Sequence, residues 1–205
     1  GPFDFILDTG AGTSLLSAEL AQQLNIKVLG TKEGQSAGGK VSVSLAKVES
    51  LALGQAKIED IEVGIVDLGH IAKTIGTKID GDVGYNFLKY FRVTIDYQIG
   101  EIRFDDPRRI ENFGRTSKTE IPMRLASPAK PLVLVDVYAN GGGPFQFAID
   151  TGTSTTAVAP EVARQLGIEG SPIGPLTTGG SQVSVTAGNL KSFQIGGARI
   201  DDLVV

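Results

Sequence analysis

Residues 1–10 read GPFDFILDTG, and residues 143–152 repeat this stretch as GPFQFAIDTG. The offset of 142 pairs residues 1–63 with residues 143–205 without a gap, and 23 of those 63 pairs are identical. A single register held over that length indicates two copies of one structural unit. Neither copy is whole, because nothing after Val205 matches residues 64–104 and nothing before Gly1 matches residues 121–142. We therefore expect the chain to be a fragment of a longer polypeptide.

Composition narrows the class of protein. The 205 residues carry a formal net charge of −4, whereas binding to a nucleic-acid backbone normally needs a clustered basic face. The absence of Cys excludes disulfides and thiolate metal sites, and a single His disfavours Ser-His-Asp chemistry and imidazole metal sites. No apolar run approaches the roughly 20 residues of a membrane span. We expect no metal, no cofactor, no nucleic-acid partner and no membrane span in this segment.

The repeat unit reads mainly as β-strands. Apolar residues alternate with polar ones over residues 41–47 and 58–66, a pattern typical of paired strands. Helical spacing in the repeated part is confined to residues 18–24 and 160–166. Residues 105–118 contain Pro107, paired Arg and few apolar side chains, so they are the best linker candidate. The predicted class is mainly β, with one lobe over residues 1–118 and a second over residues 119–205 that is incomplete at its C-terminal end.

Each copy ends its first strand with Asp-Thr-Gly, at Asp8 and at Asp150. A carboxylate at the end of a buried strand is costly unless its charge is stabilised or neutralised. The glycine at Gly10 or Gly152 permits a sharp turn that brings amide N–H groups towards the carboxylate. Two such loops that meet at a pseudo-two-fold axis would set the two aspartates together and favour one shared proton. One carboxylate could then take a proton from water while the other polarises a carbonyl.

These motifs resemble the catalytic loops of aspartic proteases, and the repeat unit is similar to the retropepsin-like family. The similar segments are FILDTGA at residues 5–11, FAIDTGT at residues 147–153 and DVGYNFL at residues 82–88. The resemblance implies a pseudo-two-fold pair of β-barrel lobes in one chain, with Asp8 and Asp150 as the catalytic dyad. It implies dyad-supporting residues at Thr9, Gly10, Ala11, Thr151, Gly152 and Thr153. It also implies glycine-tipped flaps at Gly38, Gly39, Gly179 and Gly180.

The reaction implied by the resemblance is endopeptidase cleavage by dyad-activated water. The substrate would be an extended peptide or protein segment, held beneath the flaps, and no cofactor would take part. Because both aspartates lie in one chain, a dimer is not required, although one stays open. A secreted or periplasmic location is favoured.

Ala11 and Thr153 occupy equivalent positions and differ in chemistry. The Thr153 hydroxyl could donate to the Asp150 carboxylate and favour its charged form, whereas Ala11 offers no hydroxyl. We therefore expect Asp8 to hold the shared proton more often than Asp150.

Two other function classes stay open. A catalytically inactive protease-like module would keep the fold and bind peptides without cleaving them, and the segment missing from the second copy leaves room for it. Residues 149–155, IDTGTST, also resemble the phosphate-binding turn of actin-like ATPases. That fold usually needs a longer chain with further phosphate motifs and does not predict the glycine hairpins.

Overall fold

The structure is a computed structural model that describes residues 1–36, 39–108, 120–128, 130–177 and 182–205. It is mainly β, which confirms the predicted class. The described strands are β1 (Phe5–Leu7), β2 (Leu15–Ser17), β3 (Val28–Ser36), β4 (Gly39–Leu53), β5 (Ala56–Val66), β6 (Gly81–Val83), β7 (Arg92–Asp96), β8 (Glu101–Asp105), β9 (Arg124–Ser127), β10 (Lys130–Ala139), β11 (Gly142–Ala148), β12 (Ser171–Thr177), β13 (Gln182–Ala187), β14 (Asn189–Ile195) and β15 (Ala198–Val204). The described helices are α1 (Ala18–Gln23), α2 (Gly69–Ile75), α3 (Tyr85–Leu88) and α4 (Pro160–Gln165).

The first sheet has six strands in the order β1-β6-β2-β5-β4-β3. Its short strand β6 lies between β1 and β2, parallel to β1 and antiparallel to β2. Gly81 makes this insertion possible, because a Cβ there would lie 2.2 Å from the Phe5 ring and 2.5 Å from the Leu15 carbonyl oxygen. The chain therefore returns after more than 70 residues to lie beside its own first strand.

The first core lies between this sheet and the helices α1 and α3. Ser17 caps α1 by accepting a hydrogen bond from the Leu20 amide, and the helix buries Leu20 and Ala21 against the sheet. The alternation predicted for β5 places Ile61 and Val63 on the buried face. The main buried apolar side chains of this core are Leu16, Leu20, Ile61, Val63, Val83 and Phe87.

The second sheet takes its strands from the second copy of the repeat and the segment before it. Its order is β11-β10-β14-β15, and β9 pairs with β10. The buried residues Val135, Val137, Ala139, Leu190 and Phe193 form a separate core. All described strands of the first sheet precede the predicted boundary near residue 118, and all described strands of the second sheet follow it. The division into lobes itself stays a prediction. Residues 109–118 of the expected linker lie outside the described residues.

Two hairpins carry the predicted flap positions, one at the edge of the first sheet and one that forms a separate two-stranded sheet. β3 pairs with β4 up to Ser36 and Gly39, and β12 pairs with β13 up to Thr177 and Gln182. β4 runs well beyond the predicted residues 41–47, because its continuing alternation lets it pair with β3 and β5 in turn. The single histidine, His70, lies on α2, where it is exposed. Within the described ranges, no helix combines the length and the apolar character needed to cross a membrane.

Candidate active site

The two Asp-Thr-Gly turns each fold back on their own carboxylate. The Gly10 amide donates to Asp8 Oδ1 at 2.6 Å, and the Gly152 amide donates to Asp150 Oδ1 at 2.8 Å. Asp8 Oδ1 also accepts from the Ala11 amide at 3.1 Å. These backbone N–H groups stabilise a negative charge at the end of each first strand.

The two turns are joined by the threonines between them. The Thr9 hydroxyl donates to the Ile149 carbonyl and the Thr151 hydroxyl donates to the Leu7 carbonyl, each at 2.8 Å. Each hydroxyl also accepts from the backbone amide of the other threonine at 3.1 Å. This reciprocal set of four hydrogen bonds holds the loops in a pseudo-two-fold arrangement and places Asp8 and Asp150 together.

Steric constraints require glycine at Gly10 and at Gly152. A Cβ on Gly10 would lie 2.6 Å from the Asp150 Cγ, and a Cβ on Gly152 would lie 2.6 Å from the Asp8 Cγ. Neither glycine has a positive φ, so the expectation that they serve the turn conformation is replaced by a steric reason. Each loop leaves room for the carboxylate of the other only because it lacks a side chain there.

The dyad is asymmetric in its surroundings. Asp8 is half-buried and Asp150 is exposed. Burial raises the pKa of Asp8, the charge of Asp150 raises that pKa further, and the hydrogen bond from Gly10 opposes the rise. That Asp8 holds the shared proton more often than Asp150 stays a prediction. The cause expected from the sequence is not the one observed, because the Thr153 hydroxyl donates to the Thr155 carbonyl at 3.2 Å and not to Asp150.

The strand β6 accounts for the greater burial of Asp8. The Asp8 amide donates to the Val83 carbonyl at 3.0 Å, and the Tyr85 amide donates to the Ala11 carbonyl at 2.7 Å. Among the described residues, no strand pairs with the end of β11 in the way that β6 pairs with β1. The Asp150 turn is therefore covered on fewer sides than the Asp8 turn.

Asp82 on β6 is a third acidic residue at the dyad, and the sequence argument did not single it out. It pairs with Ile6, two residues before Asp8, and it is only 8% exposed. Burial raises the pKa of Asp82 to about 9, and the charges of Asp8 and Asp150 contribute to the rise. The signal in the sequence was an acidic residue inside the DVGYNFL segment, two positions before Gly84.

A second missed feature is the pair Ser14 and Asn86. Ser14 is fully buried, and Asn86 Oδ1 accepts from both the Ser14 amide at 2.7 Å and the Ser14 hydroxyl at 2.8 Å. The Gly84 amide donates to the same hydroxyl at 3.1 Å, and Asn86 Nδ2 donates to the Glu62 carbonyl at 2.7 Å. This network fixes the segment after the Asp8 turn against α3 and β5.

Of the four predicted flap glycines, only Gly39 lies among the described residues. Gly39 begins β4 with a φ of +119°, a conformation that favours glycine, and no atom would contact a Cβ there. Gly38, Gly179 and Gly180 lie outside the described residues. The flap assignment therefore stays a prediction, supported by the two hairpins on which these glycines fall.

The comparison with known families agrees with this geometry. No curated protein matches the chain closely enough to serve as a relative. A family model described as aspartyl protease matches residues 1–87 and residues 135–205, which together make up most of the chain. Each matched range contains one Asp-Thr-Gly turn, and the resemblance drawn from these motifs is confirmed: the chain belongs to the aspartyl protease family.

Proposed function

We propose that the protein is an aspartic endopeptidase in which Asp8 and Asp150 activate water for peptide-bond hydrolysis. Membership of the aspartyl protease family supports a protease-like function in general. The observation that carries the finer proposal is the reciprocal threonine bonding, which holds the two carboxylates face to face. The fit of Gly10 and Gly152 against the opposite carboxylates supports it further.

The asymmetry of the dyad assigns the roles. Asp8 holds the shared proton and donates it as a hydrogen bond to the scissile carbonyl, while Asp150 accepts a proton from the attacking water. The water oxygen forms a bond to the carbonyl carbon, and the carbonyl oxygen takes the Asp8 proton. Collapse of this tetrahedral diol breaks the C–N bond. The proton on Asp150 passes to the leaving amine, and one diol hydroxyl returns its proton to Asp8 as the carboxylic acid forms.

The substrate is an extended peptide or protein segment. The β3–β4 hairpin and the β12–β13 hairpin are the candidate flaps that close over it, and their backbones would bind it by strand-like hydrogen bonds. Each predicted lobe supplies one aspartate, so one chain provides the whole dyad.

The proposal is tested by cleavage of a quenched-fluorescence peptide library and of unfolded casein between pH 3 and pH 8. Asp8→Asn and Asp150→Asn are each expected to lower kcat/KM by at least about 1,000-fold, since neither variant can form the single-proton dyad. Asp202→Asn changes an exposed aspartate on β15 and serves as the matched control. Cleavage that survives in either dyad variant would overturn the proposal.

A catalytically inactive peptide-binding module is the second candidate. It is favoured by the exposure of Asp150 and by the thinner cover of its turn. This candidate predicts that peptides bind to the wild-type protein without being cut at any pH in the series. The actin-like alternative has no comparable support, because the family match falls on both copies of the repeat.

A further inference from the structure

Asp82 occupies a position that strand register fixes next to the dyad. It is the middle residue of β6, where it pairs with Ile6 of β1 and with Leu15 of β2. Directly paired residues share a face of a sheet, and so do residues two apart on a strand. Asp82, Ile6 and Asp8 therefore lie on one face, which brings the Asp82 carboxyl beside that of Asp8.

Among the residues that the structure describes, only acidic groups act on the charge of Asp82. The residue is 8% exposed, and its Oδ1 has no hydrogen-bond partner among the described residues. The titratable groups that act on it are Asp8 from the end of β1 and Asp150 from the opposite turn. β2 presents only Leu-Leu-Ser, and Lys78, which precedes β6, is paired with Asp80 at 2.5 Å.

A buried carboxyl in such a place takes up a proton, because its ionisation would add a second negative charge beside the one that the dyad carries, without compensation. Metal binding does not account for the group: within the described part of the chain, no three His, Cys, Asp or Glu side chains are arranged to hold an ion. A neutral carboxyl has one O–H to donate, and the acceptor within its reach is Asp8.

We propose that Asp82 is a positioning residue of the dyad, a neutral third carboxyl that donates a hydrogen bond to Asp8 and sets the pH range in which the dyad holds one proton. The catalytic consequence rests on the proposed endopeptidase function, whereas the protonation of Asp82 does not. A donor directed at Asp8 stabilises its anion and opposes the effect of burial.

The pH dependence of kcat/KM tests the proposal through two substitutions. Asp82→Leu fills the site with an apolar side chain and removes the donor. The upper limb of the bell-shaped profile, on which Asp8 loses its proton, is therefore expected to move upward by about one pH unit. Asp82→Asn keeps the shape and supplies an amide N–H donor, so its limbs are expected within about 0.3 unit of the wild-type ones. A Leu profile that superimposes on the wild-type profile, or an Asn profile displaced as far as the Leu profile, would overturn the proposal.

A second measurement does not depend on cleavage or on the folding of the Leu variant. Carboxyl ¹³C NMR follows the titration of Asp8, Asp82 and Asp150 in the wild-type protein and in Asp82→Asn. The Asp82 signal is expected to keep the chemical shift of a protonated acid at pH 7, and ionisation below pH 6 would refute the inference. If Asp82 stays protonated while the wild-type protein cleaves nothing, the endopeptidase proposal fails and the assignment of the third carboxyl stands.

Discussion

Replacing Asp82 by Asn should change how the stability of the fold depends on pH. In the folded protein burial holds the pKa of Asp82 at about 9, against an ordinary value of 3.8 for the unfolded chain. A raised folded pKa means that the folded state binds the proton more tightly. The stabilisation linked to this proton is complete below pH 3.8 and is lost as the pH rises towards 9. Asparagine has no proton to lose, so the variant escapes this decline.

The size of the effect follows from the two pKa values. Between pH 4 and pH 7 the unfolded Asp82 ionises, while the folded one keeps its proton. Each pH unit in that interval lowers the free energy of unfolding of the wild-type protein by about 1.4 kcal/mol through this group alone. Over three units the Asn variant should therefore gain about 4 kcal/mol relative to the wild type.

Urea unfolding at pH 4, 5.5 and 7 measures the difference, with circular dichroism as the probe. The two proteins should differ least at pH 4 and diverge steadily towards pH 7, with unchanged m-values. Asp202→Asn is the control and should follow the wild-type curve, because that residue is exposed. Parallel stability curves for Asp82→Asn and wild type would refute the reasoning, since they would mean that Asp82 ionises alike in both states.

Three further substitutions test the packing of the turns. Gly10→Ala places a methyl group 2.6 Å from the Asp150 carboxyl carbon, so kcat/KM should fall at least about 100-fold. The control Gly30→Ala adds a methyl group with no atom within 4 Å and should leave kcat/KM unchanged. Thr151→Val removes two hydrogen bonds between the turns and should lower the free energy of unfolding by about 2 kcal/mol. The control Thr153→Val should lower it by less than about 0.5 kcal/mol. Equal losses for the two variants in urea titrations would contradict the interlocking role. Ser14→Ala leaves a buried amide unpaired and should cost about 2 kcal/mol in thermal unfolding, and an unchanged Tm would argue against that network.

Local sequence patterns predicted much of the fold. The alternation in residues 58–66 predicted β5, and helical spacing predicted α1 to within one residue of its end. The pattern failed where an element depended on its neighbours. The bounds of β3 did not follow from its own residues, because it buries none of them and takes its strand conformation from pairing with β4. The helix α2 buries none of its residues, so it offered no apolar stripe to detect.

The sequence by itself determined that two Asp-Thr-Gly turns belong to two copies of one mainly β unit, because a repeat held in register is visible without any structure. The tertiary structure decided how the copies differ. Strand alternation tells which residues share a face, but not which strand will lie beside them. The insertion of β6 next to β1 joins residues more than 70 positions apart, covers the Asp8 turn and brings Asp82 to the dyad. Local sequence also could not show why position 10 requires glycine. The steric constraint there comes from the carboxylate of Asp150, which lies 140 residues further along the chain.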